Sequence, residues 1–130
     1  MIAFHPIYVH DLPENHRFPM EKYDLLPRQL IHEGTIEQSQ FFAPSSIDNR
    51  HVEAVHCGNY LQRLRNLEMT KKEQRVSGFV HNKTLIQREW TIMEGTRKAA
   101  ELAMTTNICF NIAGGTHHAF SDRGEGFCLL

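Results

Sequence analysis

Apolar residues along the chain fall into short runs and helical stripes, with no long unbroken segment. Residues 1–4 form an apolar run closed by His5-Pro6, the pattern of a buried strand. Pro19 suits the first turn of a helix, where a missing N–H costs nothing. Met20, Tyr23, Leu26 and Leu30 then recur at helical spacing up to Gly34, with Pro27 predicting a kink or a split. Phe41-Phe42, ahead of Pro44, predicts a second strand over 40–43. Ser45 and Ser46 are candidate helix caps, and Asp48 is placed to meet a helix dipole. Helical spacing resumes after Gly58 with Tyr60, Leu61, Leu64 and Leu67. Thr70 with Glu73 has capping-box spacing and predicts a short helix ending near Gly78. Thr84 with Gln87 repeats it and opens the longest predicted helix, to about Met104. Its apolar stripe is Leu85/Ile86, Ile92/Met93 and Ala99/Ala100, a core-facing pattern. Residues 108–112 predict a third strand, with Ile108, Phe110 and Ile112 on one face.

Strands separated by helices predict an α/β domain with a parallel sheet. Chemistry in open α/β sheets lies at the carboxyl ends of the strands, which points to residues 114–127. Composition narrows the rest. The chain has 130 residues, 41% hydrophobic and 22% charged, enough for one domain with a real core and unlike a disordered or fibrous chain. Fourteen Lys and Arg against fifteen Asp and Glu give a net charge of −1, which argues against a general nucleic-acid binder. Cys57, Cys109 and Cys128 form no CxxC pair, so neither a disulfide framework nor a cysteine zinc site is favoured, and a cytoplasmic setting is expected. Neither a membrane span nor a signal peptide is recognised. The basic run Arg63, Arg65, Lys71, Lys72 and Arg75, tempered by Glu68 and Glu73, fits a solvated helical face.

Of the nine histidines, His5, His10, His32, His51 and His81 are scattered and show no HExxH or H-x-H spacing. The adjacent pair His117-His118 is different in kind. Imidazole titrates near neutrality and can take a proton and return it, and the flanking glycines let the backbone approach a ligand closely. A bare His-His pair in a glycine-rich turn is ordinary solvated loop, so the longer string has to decide.

That string, Gly114-Gly115-Thr116-His117-His118-Ala119, resembles the GG-x-HHA catalytic loop of the zinc-dependent histone deacetylase family, which includes acetoin-utilisation proteins and acetylpolyamine amidohydrolases. Asp122-Arg123-Gly124-Glu125-Gly126-Phe127-Cys128 is similar to the DRG-x-GFC string of class IV members. Upstream, His16-Arg17-Phe18-Pro19-Met20 resembles the family's Arg-x-x-Met stretch, and His56-x-x-x-Tyr60-Leu61-x-x-Leu64 its H-x-x-x-Y-x-x-x-L helix. The resemblance covers the whole chain, so residues 1–130 read as the N-terminal portion of a longer deacetylase-like domain. It implies a partial arginase/deacetylase-like α/β fold, three-layered, with a short parallel sheet and flanking helices.

The resemblance also implies roles. His118 is the expected general base, then acid, for amide hydrolysis, and His117 the partner of the developing oxyanion. Phe127 is the expected wall of an acyl-lysine tunnel, and the Gly126 carbonyl an acceptor for the substrate amide N–H. Arg17, and with it Tyr8, is expected to line an internal channel, where a cation suits a departing carboxylate. The implied substrate is an acyl-lysine or acyl-polyamine, and the implied cofactor of the complete domain is zinc. The family's zinc ligands are two aspartates and a histidine, the first two in Asp-x-His, and none is matched, since Asp11, Asp24, Asp48 and Asp122 have no histidine two positions on. The 130 residues alone are therefore expected to bind no catalytic zinc and to turn over no substrate. An alternative is a catalytically silent interaction module, a homo-oligomer joined through the open edge at 108–112. A third is a histidine-rich metal binder that draws a donor from another subunit.

Overall fold

The computed structural model describes residues 1–114 and 116–130. Three short parallel strands, β1 (Ile2–Ala3), β2 (Phe41–Phe42) and β3 (Phe110–Asn111), form a sheet in the order β2-β1-β3. Ile2 pairs with Phe41 and Phe110, and Ala3 with Phe42 and Asn111. The α/β parallel architecture expected from the sequence is present, with shorter strands. β3 lies at a sheet edge, and Ile108 and Phe110 are more than half exposed there.

Parallel neighbours need long crossovers, and helices supply them. Helix α1 (Lys22–His32) joins β1 to β2, and Gly34 follows it at positive φ. The expected split at Pro27 does not occur: the helix runs through it, Pro27 forfeits one ladder bond, and its buried ring faces inward beside Tyr23. Leu26 points to solvent instead. Helix α2 (Asn49–Glu53) is capped by Asp48, whose carboxylate accepts from Arg50 N at 3.0 Å, so neither Ser45 nor Ser46 caps it. Helix α3 (Gly58–Arg65) buries Tyr60, Leu61 and Leu64 and stops before Leu67, which takes a positive φ outside the stripe. Helix α4 (Lys71–Ser77) has the expected Thr70/Glu73 capping box and ends at Gly78 with φ 83°. Arg63 bonds the same carboxylate at 2.7 Å, which with Thr70 holds Glu73 down at about 2.

Helix α5 (Lys83–Thr106) is the spine. Its cap is Asn82, whose side chain accepts from Leu85 N at 2.8 Å; Thr84 lies inside the helix and closes no box. Leu85, Ile86, Ile92 and Ala99 are buried as the stripe predicts, Met93 is half-buried and Ala100 is exposed. Arg88, Glu89, Trp90 and Thr91 are buried too, so this stretch is enclosed on every side. The core gathers Tyr8, Tyr23, Leu61, Leu64, Leu85 and Leu129 around it, each buried leucine worth about 1.5–3 kcal/mol. Among the described residues, no helix is long and apolar enough to cross a membrane.

Candidate functional site

β3 delivers the chain to the loop at 112–130, and Asn111 anchors the exit. Its amide donates to Ile92 O at 2.9 Å and Thr96 Oγ1 at 3.0 Å on α5. Gly95 makes that approach possible, because a Cβ there would stand 2.8 Å from Asn111 Nδ2 and 2.3 Å from the Tyr8 hydroxyl oxygen. Two turns earlier on α5, Arg88 donates from Nε to Tyr8 O at 2.7 Å, pairs with Glu89 and places its guanidinium 5.2 Å from the Tyr23 ring centroid. The Tyr23 hydroxyl donates to Gly114 O at 3.2 Å, tying this buried polar group to the start of the loop.

The far part of the loop is clamped from two sides. On one side stands the α3 motif: Cys57 N–H donates to Ser121 O at 2.8 Å, His56 Nδ1 lies 3.2 Å from Phe120 O, and the Tyr60 hydroxyl donates to Leu129 O at 2.8 Å. Burial pushes Tyr60 up and His56 down, although carbonyl contacts partly oppose the His56 shift. On the other side lies the C-terminus of α4, whose last carbonyls have no intrahelical partner. Gly126 N–H donates to Val76 O at 3.0 Å and Phe127 N–H to Ser77 O at 2.8 Å.

Gly126-Phe127 is a two-residue turn between Glu125 and Cys128, closed by bonds of 2.9 and 3.0 Å. Both central residues have positive φ, 55° and 67°, as a primed hairpin turn requires. This conformation is costly for a phenylalanine, so its surroundings must hold it. They do: Phe127 meets Phe18, Phe79 and His16 at centroid distances of 5.2, 5.6 and 5.8 Å. His16 accepts from Phe18 N–H through Nδ1 at 3.1 Å, so its proton sits on Nε2 and is donated to Gly78 O at 2.8 Å. Its ring stacks on Phe79 at 6°. A Cβ on Gly78 would stand 2.5 Å from Phe127 Cε1, so only glycine allows this seat.

The structure brings His118, Gly126 and Phe127 together: a Cβ on Gly126 would lie 3.2 Å from His118 Cγ. Thr116 Oγ1 donates to the Gly126 carbonyl. His117, at φ 60°, lines a neighbouring groove of about 650 Å³ floored by Ile92 and Met93. Both histidines are exposed. Gly115, the second glycine of the signature, lies outside the described residues. Arg17 is exposed, with its guanidinium 5.9 Å from the Phe127 ring centroid, whereas Tyr8 is fully buried against α5. The arginine bonded to Tyr8 is Arg88, not Arg17.

Sequence reasoning assigned no role to His16, Phe79 or the Arg88–Glu89 pair. Arg88 and Glu89 stand three and four residues after Leu85 and so fall on the apolar stripe, a placement that flags a buried ion pair. A catalytic zinc needs three protein ligands and an open position. Among the described residues, no three His, Cys, Asp or Glu side chains converge, so these residues do not fit a zinc site by themselves.

Comparison with known proteins gives this loop a context. The histone deacetylase domain model matches residues 16–130. An uncharacterised protein of Picosynechococcus sp. is 40% identical over 129 residues, 99% of this chain and 43% of that protein. Histone deacetylase 2 of Arabidopsis thaliana is 26% identical over 121 residues, 88% of this chain and 31% of that protein. The chain thus spans less than half the length of either curated relative. Among solved structures, a histone deacetylase homologue from Aquifex aeolicus superposes with a TM-score of 0.77, and a homologue complexed with SAHA with 0.78. Each is 22% identical and matches 98% of this chain and 37% of its own. At that identity they establish the arginase/deacetylase fold over the part spanned. With the domain model matching from His16 through the histidine pair and the Phe127 turn, the chain belongs to the histone deacetylase family.

Proposed function

We propose that this chain supplies the proton-transfer and substrate-wall part of an acyl-amide hydrolase site. The observation that carries the reading is the packing of His118 on Gly126, which sets an exposed imidazole beside the fixed Phe127 turn. An acyl-lysine laid along Phe127 brings its amide within reach of such an imidazole. His118 then takes a proton from attacking water and returns it to the leaving amine nitrogen. His117 is the partner for charge developing on the carbonyl oxygen. The Gly126 carbonyl, which holds the Thr116 hydroxyl on one lone pair, offers the other to the substrate amide N–H. Arg17 stands over Phe127 and Tyr8 below α5; the channel role of this pair belongs to the same proposal.

The family's zinc belongs to the complete domain. The 130 residues alone are proposed to be inactive. The test compares this chain with a fusion joining it to the part of the Picosynechococcus relative that it does not match. With zinc supplied, the fusion is expected to hydrolyse an acetyl-lysine peptide and the chain alone is not. Turnover by the chain alone contradicts the inactivity, and a folded but silent fusion contradicts the assignment.

A further inference from the structure

A groove of about 870 Å³ runs from Phe127 along α4. Arg17, Lys71 and Arg75 line it against a single carboxylate, Asp11. The three cations are exposed, and no ion pair among the described residues uses any of them. The basic run expected to form one solvated helical face is thereby divided. Arg63 is spent on Glu73 and Arg65 on Glu53, Lys72 lines a separate cavity beside Tyr60 and Met69, and Lys71 and Arg75 face the groove. His10, also on its wall, is held toward its neutral form by burial and by the nearby Arg88 charge. The excess of positive charge therefore sits along the path leading away from Phe127, where the carrier of an acyl group would lie.

We propose that this groove docks the acidic flank of an acylated peptide, so that the substrate is an acyl-lysine in an acidic protein segment and not an acyl-polyamine. The inference rests on Phe127 being the acyl-lysine wall. A polyamine would bring its remaining ammonium groups against Lys71 and Arg75, which lie beyond Arg17 and the acyl end of the site. A nucleic acid is the poorer fit, because such binders neutralise roughly 6–10 phosphates and this groove offers far fewer cations.

Fluorescence polarisation with the 130-residue chain tests this. The probes are labelled acetyl-lysine peptides flanked by Glu or by Lys, each also made without the acetyl group. The Glu-flanked peptide is expected to bind about 10-fold tighter at low salt, the ratio falling below about 2-fold near 0.5 M salt as screening shortens the field. Lys71→Glu and Arg75→Glu are each expected to weaken it by about 3-fold. Lys71→Glu suits the first turn of α4, where a carboxylate meets the helix dipole, and circular dichroism checks both folds. Equal affinity for the two flanks overturns the proposal. So do competition by acetylspermidine as strong as that of the Glu-flanked peptide, tighter binding of oligothymidylate, or no binding of either peptide at low salt. Flank and acyl group fail separately: indifference to the acetyl group contradicts the tunnel-wall reading, and indifference to the flank contradicts this one.

Discussion

Two pairs of adjacent polar residues sit within the same small fold and do opposite things. Arg88-Glu89 is 3% and 6% exposed, wrapped by Tyr8, Met20 and Tyr23, and it supports the start of the loop through Tyr23 and Gly114. His117-His118 is exposed on that loop, and among the described residues its imidazoles make no hydrogen bond. Burial turns the first pair into scaffold, where each charge depends on the other. Exposure leaves the second pair open to solvent and dependent on other groups to orient it. Between them lies the Phe127 turn, whose strained backbone is fixed by α4, His16 and Gly78.

Breaking the buried pair should cost most. Glu89→Ala leaves Arg88 uncompensated and is expected to lower unfolding free energy by roughly 3–5 kcal/mol in urea titration. Gly78→Ala meets both a positive φ and the Phe127 ring, and should cost roughly 2–4 kcal/mol with loss of the near-ultraviolet aromatic signal. Tyr60→Phe strands the buried Leu129 carbonyl and should cost about 1–2 kcal/mol. Acid should act more gently. Burial lowers His10, His56 and His81 below their ordinary value of 6.5, so between the folded and unfolded values the unfolded chain binds more protons. Stability then falls as pH drops below about 6.5, and the urea midpoint should be lower at about pH 5.5 than at about pH 7.5. His118→Ala should change stability least, within about 0.5 kcal/mol, since its ring is exposed.

What could be read from the sequence follows from range. The Thr70/Glu73 box, the Gly78 stop and the α5 stripe are local patterns, and the structure keeps them apart from the exposed Ala100. The Gly114–Phe127 stretch pointed to the family because several residue types recur together at fixed spacing, which no chance His-His pair does. Pro27 does not split α1, because its ring gains a buried seat that local rules omit. Asn82 displaced Thr84 because either can cap, and the chain path chose between them. The His16–Gly78–Phe127 seat joins residues 62 apart in sequence through one carbonyl bond, and no spacing rule reaches that far. Lys71 and Arg75 separated from Arg63 and Arg65 only once their partners were placed.

The proton-transfer role proposed for His118 in acyl-amide hydrolysis rests on its place beside the Phe127 turn. Its most direct test is kcat for an acetyl-lysine peptide in the fusion with the Picosynechococcus relative, with and without His118→Ala, both shown to be folded. A loss of about 10²–10⁴-fold is expected for removal of a general base. An unchanged kcat would contradict that role.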